Sequence, residues 1–144
     1  MMFSKLTSVA AILAALAGPA AAETFEVQML NRGDAGTMVF EPANLRIAAG
    51  DTVKFVATDR GHNAESIDGM MPEGATAFAG KINEEIEVTF DVEGFYGVMC
   101  KPHFAMGMVM VIAVGDAEAA PDTFLEGRLP RSAKQRFEDQ LNAF

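Results

Sequence analysis

The chain predicts an all-β fold, a sandwich of short antiparallel strands, closed at its C-terminal end by two short helices. Two observations lead there. Apolar and polar residues alternate with period 2 in several short runs separated by Gly, Pro, Asn and Asp turn chemistry. Apolar residues at helical spacing become the rule only after Gly115.

Residues 1–22 read as an export leader rather than as part of the fold. Lys5 supplies the positive start, Leu6 to Leu16 an apolar stretch, and Pro19-Ala20-Ala21-Ala22 the small residues of a cleavage site before Glu23. The apolar stretch is shorter than the roughly 20 residues a spanning helix needs. Residues 23–144 then form one domain, too short for two. The first strand is Phe25-Glu26-Val27-Gln28-Met29, and Asn31 to Gly36 is turn chemistry. Met38 to Glu41 is a short extended piece stopped by Pro42, and Leu45-Arg46-Ile47 a further strand. Ala49-Gly50-Asp51 turns into Thr52 to Ala57, β-branched and aromatic. His62 to Ser66 reads as a short strand, and Ile67 to Phe78 as an irregular loop with room for one helical turn. Ile86 to Phe90 alternates cleanly, and Phe95 to Cys100 and Met108 to Val114 are the last two strands. In the extension, from about residue 120, Pro121 to Gly127 reads as one short helix. Ser132 caps a second, whose Ala133, Phe137 and Leu141 share an apolar face that docks on the sandwich.

The acidic balance, net charge −9 with no basic stripe, argues against a nucleic-acid partner. Chemistry concentrates in Gly97 to Met108, which holds the only cysteine, Cys100, one of two histidines, His103, and Met106 and Met108. A thiolate, an imidazole and a thioether make a soft donor set that suits copper better than calcium, magnesium or a structural zinc. The second histidine, His62, lies in Asp59-Arg60-Gly61-His62-Asn63, between strand-like segments. Brought beside Cys100, it completes His₂Cys with a weak axial methionine, the blue-copper set. An unpaired thiol in an exported chain calls for explanation, and metal ligation protects it. Pro102 stiffens the segment between Cys100 and His103 and removes a backbone donor near the sulfur. Three strong ligands and one weak one leave no open position for a substrate, which favours electron transfer over catalysis. Each residue also has an ordinary reading as core filler or a satisfied histidine. Jointly that is hard to sustain, because every Cys and His of the chain falls into the one set.

The segments Gly61-His62-Asn63, Tyr96-Gly97-Val98, Cys100-Lys101-Pro102-His103 and Met106-Gly107-Met108 resemble the cupredoxins, and more narrowly the pseudoazurin family, over the whole chain from Phe25 through the helical tail. The resemblance implies a Greek-key β-sandwich and one copper ion per chain, bound by His62, Cys100, His103 and Met108. It places Asn63 in a hydrogen bond near the thiolate and Met38 against a ligand imidazole. Both Met106 and Met108 stand at spacings that cupredoxins use. Gly107 lets the chain turn before Met108 opens the final strand, which favours Met108 and leaves Met106 at the loop tip. By resemblance the protein is a periplasmic, monomeric one-electron carrier that meets a copper nitrite reductase or c-type cytochromes transiently and has no membrane association after the leader is removed. Phe104, Ala105 and Met106, with Pro102, would form the docking patch, and Arg32, Arg60 and Lys101 its basic rim. Ala79 and Met99 stand where the family commonly carries lysines. Two other readings compete. One is a copper-delivery module, which would keep exposed, exchangeable donors. The other is an enzyme with a Cys–His dyad, for which the sequence supplies no orienting third group.

Overall fold

The computed structural model describes residue 18 and residues 20–144; most of the expected leader, residues 1–17 and 19, lies outside the described residues. Among the described residues, eight strands build two four-stranded sheets. β1 (Thr24–Gly33), β2 (Gly36–Glu41), β4 (Asp51–Val56) and β6 (Ile86–Phe90) form the first, in the order β2-β1-β4-β6. β3 (Asn44–Ile47), β5 (Glu65–Ser66), β7 (Gly94–Met99) and β8 (Val109–Val114) form the second, in the order β3-β8-β7-β5. From β2 to β7 every connection crosses from one sheet to the other, the wiring of a Greek key.

Those crossings correct the expectation of purely antiparallel sheets. β1 runs parallel to β4, with Val27 opposite Phe55, and β3 runs parallel to β8, with Leu45 opposite Ile112. Alternation of apolar residues fixes which face a strand buries, but strand direction depends on where the chain re-enters a sheet. β1 also runs further than expected. Asn31, Arg32 and Gly33 remain in the strand, paired through Arg32 to Thr37, and the turn itself narrows to Asp34-Ala35.

In β4 the buried residues Asp51, Val53 and Phe55 alternate with half-buried ones, as a one-sided strand should. β8 is buried throughout because both of its faces are covered. Met110, Ile112 and Val114 point into the sandwich with Val27, Met29, Phe40, Phe55 and Val98. Val109, Val111 and Ala113 point the other way, onto Phe124, Ala133 and Phe137 of the C-terminal segment. The helix α1 (Arg131–Leu141) thus closes the outer face of the second sheet, as its apolar stripe foretold, with Ala133 and Phe137 fully buried. Burying a phenylalanine of this kind stabilises by about 2–3 kcal/mol.

The extension departs from expectation in two ways. Its first helix is a single 3₁₀ turn, Asp122–Leu125, held by the buried Phe124 rather than by an α-helical ladder. Ser132 does not cap α1; the helix starts at Arg131 behind Pro130, whose fixed φ of −56° leads the chain in. The loop from Ile67 to Phe78 contains turns and no helix.

At the far side of the core, the Tyr96 hydroxyl donates to the Val92 carbonyl, four residues upstream, at 2.6 Å. This is a tyrosine corner, a device of Greek-key sandwiches. Among the described residues no helix is long and apolar enough to cross a membrane.

Candidate metal centre

Two segments, 38 residues apart in sequence, meet at one end of the sandwich. Cys100 follows the last residue of β7 and starts a tight 3₁₀ segment, Lys101–Met106, with Pro102 in its first turn. This is the form that the Pro102-stiffened segment between Cys100 and His103 takes. The turn brings the His103 N–H to the Cys100 carbonyl (3.1 Å) and ends at Gly107, whose φ of 89° is the left-handed value glycine tolerates. The chain then doubles back. The Met108 N–H donates to the His103 carbonyl (3.1 Å), and the Cys100 N–H donates to the Met108 carbonyl (2.9 Å). Cys100, His103 and Met108 are therefore fixed to one another by backbone bonds alone.

The other segment carries His62. Asn83, itself at a left-handed φ of 66°, donates its N–H to the His62 carbonyl (2.8 Å), and its side-chain Oδ1 accepts from the Gly61 N–H (2.6 Å). Asn63 ties the two segments together. Its Oδ1 accepts from the Lys101 N–H (2.8 Å), while its Nδ2 donates to Glu65 Oε2 (2.9 Å) and to the Gly80 carbonyl (3.0 Å).

Three donor atoms converge. His62 Nδ1 lies 3.1 Å from His103 Nδ1, and Cys100 Sγ lies 3.6 Å and 3.5 Å from them respectively. A point equidistant from the three atoms sits about 2.0 Å from each, against typical lengths of about 2.0–2.1 Å for zinc–imidazole and about 2.3 Å for zinc–thiolate bonds. The donor triangle thus has the right size for a transition-metal ion, and its softness suits copper. Of the two methionines considered, Met108 is fully buried within the cluster that holds Cys100, whereas Met106 is 51% exposed. Met38 is half-buried against the same cluster.

The tautomer of His62 is set from outside the site. Its Nε2 donates to Asn31 Oδ1 (2.8 Å), which leaves the Nδ1 lone pair facing Cys100 and His103. Asn31 is held in turn by Asp59, whose carboxylate accepts the Asn31 N–H at 2.7 Å. Sequence reasoning missed Asn31 because it took Asn31-Arg32-Gly33 for a turn. No local signal could have found it, because its partner, His62, lies 31 residues further along the chain.

Electrostatics follow from burial. Desolvation first, and the neighbouring His103 second, lower the His62 pKa, against a smaller opposing pull from Asp59. Burial raises the Cys100 thiol pKa, the backbone N–H groups of Asn63 and His103 oppose this, and Glu65 adds to the rise. Both shifts favour the uncharged forms, thiol and imidazole, and a metal bound as its thiolate would release the thiol proton. The sulfur, although Pro102 offers it no donor, keeps these two backbone N–H neighbours.

The family profile described as "Copper binding proteins, plastocyanin/azurin family" matches residues 27–115. A pseudoazurin of Paracoccus pantotrophus is 46% identical over 141 residues, 98% of this chain and 97% of that one. The chain belongs to the copper-binding plastocyanin/azurin family, on its pseudoazurin branch. Solved pseudoazurins agree in fold. That of Methylobacterium extorquens superimposes with a TM-score of 0.79 at 39% identity, covering 83% of this chain and 98% of the other. A Sinorhizobium pseudoazurin gives 0.76 at 42% identity, covering 83% and 94%. The pseudoazurin resemblance read from four short motifs thus extends over nearly the whole chain, and with it copper as the cofactor.

Proposed function

We propose that the protein is a soluble one-electron carrier whose copper is held by His62, Cys100 and His103, with Met108 as the weak axial ligand. Bound there, copper supplies a centre that cycles between Cu(I) and Cu(II). The observation that carries the reading is burial. His62, Cys100 and Met108 are fully buried and only His103 is partly exposed, so nothing the size of a substrate can reach the donors, while an electron can leave through the His103 edge. The same burial weighs against the delivery reading, which needs exposed, exchangeable donors, and against a Cys–His nucleophile. Asn63 supports the ligands by its bonds across the two segments, and Met38, which packs against the cluster holding Cys100 and Met108, would lie against a ligand imidazole. Pro102 stiffens the ligand turn.

Pro102, Ala105 and Met106, all exposed, and the half-buried Phe104 flank His103 in sequence and would form the docking patch around it. It would be a small apolar face of the kind that short-lived redox encounters use. Ile82, 49% exposed, stands next to Asn83 and extends the apolar surface on the His62 side. Arg32, Arg60 and Lys101 are exposed and adjoin, in sequence, residues that hold or contact the donors; they would form a positive rim on an acidic protein. Ala79 and Met99 leave that rim without the lysines common in the family. We assign the leader to residues 1–22, the mature domain to 23–144, the location to a periplasm, and the partners to redox proteins such as a nitrite reductase or c-type cytochromes, met by a monomer.

Adding Cu(II) to the metal-free protein should produce an intense thiolate-to-copper band in the visible, absent from Cys100→Ser. Voltammetry should then show reversible one-electron cycling with the metal retained. Colour persisting in Cys100→Ser would remove Cys100 from the site, and loss of copper to a chelator on each reduction would favour delivery.

A further inference from the structure

We infer that the C-terminal helix is a part of the metal site: Arg136 and Gln140, one turn apart on α1, grip the carbonyls of the two residues that flank Met108, Gly107 and Val109, and fix how closely its thioether approaches the metal. The inference rests on the ligand role proposed above for Met108. Arg136 Nη1 donates to the carbonyl of Gly107 (2.9 Å), immediately before Met108, and Gln140 Nε2 donates to the carbonyl of Val109 (2.9 Å), immediately after it. Residues four apart on a helix share a face, so one rigid element supplies both bonds.

The Gly107 carbonyl and the Met108 N–H belong to the same peptide plane. That plane is therefore held at both ends, by Arg136 on one side and by the His103 carbonyl on the other (3.1 Å). With the Met108 carbonyl bound to the Cys100 N–H (2.9 Å), the backbone around Met108 has no free rotation left. The same guanidinium also bonds the carbonyls of Met38 (2.6 Å) and Thr37 (2.7 Å), and so holds Met38 in its left-handed conformation, φ 52°. Packing is close enough to exclude a side chain at residue 107. A Cβ on Gly107 would meet the Ser132 carbonyl oxygen at 2.9 Å and Arg136 Cδ at 3.2 Å.

Two physical arguments separate positioning from mere packing. Imidazole and thiolate bonds are strong enough to draw their own ligands in, but a long axial thioether bond is weak, so the protein decides its length. Gln140 is buried, at 8% exposure, and its Oε1 has no partner among the described residues. An unsatisfied buried amide oxygen is destabilising, and a leucine would fill the position without that penalty. The bond to Val109 is what the glutamine provides.

The test uses the copper-loaded mature chain and compares Arg136→Met, Arg136→Lys and Gln140→Leu with Met108→Gln. Phe124→Leu serves as a control, since it loosens the same helix seat without touching either carbonyl. Copper stoichiometry should stay that of the parent in all of them. Arg136→Met and Gln140→Leu should change the ratio of the visible bands and shift the reduction potential, Arg136→Lys should return part of the way, and Phe124→Leu should leave both readouts unchanged. In the metal-free protein, Arg136→Met should speed amide exchange at Met108 by roughly tenfold, as loss of a charge-assisted bond to that peptide implies. If Met108→Gln moves the spectrum while Arg136→Met and Gln140→Leu do not, the clamp is wrong and the ligand assignment stands. If Met108→Gln moves nothing, the ligand assignment falls and the clamp with it. Should Arg136→Met fail to fold, Gln140→Leu and Arg136→Lys decide the matter.

Discussion

Asn63 joins the two segments that carry the donor atoms, and removing its side chain should be expensive. In Asn63→Ala the Lys101 N–H loses its acceptor at 2.8 Å, and the Gly80 carbonyl and Glu65 carboxylate lose donors at 3.0 Å and 2.9 Å. Asn63 is only 3% exposed, so water cannot readily replace it. At a net 0.5–1.5 kcal/mol per neutral bond, and with the Glu65 bond discounted because that carboxylate is half-exposed, the loss is about 2–3 kcal/mol. That corresponds to a fall in Tm of roughly 10 °C for a domain of this size. Urea unfolding of the metal-free protein is the assay, since bound copper would add its own stabilisation by mass action. Asn63→Asp sharpens the test. It keeps an acceptor for Lys101 but turns an oxygen toward the Gly80 carbonyl and the Glu65 carboxylate, so at neutral pH it should lose more than Asn63→Ala. A loss below about 0.5 kcal/mol in Asn63→Ala, under the value of one net hydrogen bond, would refute the view that this side chain ties the ligand segments together.

Asn31→Leu removes the acceptor of the His62 Nε2 proton and should lower copper affinity by about 10–100-fold; equal affinity in a chelator competition would show that Asn31 does not orient the imidazole. Tyr96 is the single tyrosine, and its phenol pKa is raised by burial first and by Asp91 second. A raised folded-state pKa means the stabilisation is fully present below the unfolded value of about 10 and is lost as pH rises through the folded value. Tyr96→Phe should therefore lose about 1 kcal/mol at neutral pH yet fall less steeply above about pH 10; parallel stability–pH curves for the two proteins would contradict this. Lys101→Glu and Arg60→Glu should slow electron transfer to an acidic acceptor at low salt, and the difference should fade as the Debye length contracts from about 30 Å at 0.01 M to about 8 Å at 0.15 M. Stopped-flow rates indifferent to both reversals would remove the positive rim.

The residue types carried most of the chemistry. One cysteine, two histidines and a nearby methionine define a soft donor set whatever the fold, because ligand softness is a property of the atoms. Strand positions in β4 and β6, and the apolar face of α1, were legible because burying one face imposes a period on the sequence, and β8 was legible as a short, continuous, β-branched apolar run. Tertiary structure alone decided the rest, through relations between distant residues that no local pattern encodes. Strand direction is one case, since β1 beside β4 and β3 beside β8 are parallel only because the chain crosses between sheets. Asn31 is another: it reads as a turn residue until β1 extends through Gly33 and sets its amide against His62. The tail is the clearest. Its sequence shows an amphipathic helix seeking a surface, and only the docked geometry reveals that Arg136 and Gln140 reach the carbonyls beside Met108. Hydrophobic burial is non-directional and leaves a period in the sequence, whereas a hydrogen bond between residues 29 apart depends on a geometry that exists only once the sheet beneath the helix has formed.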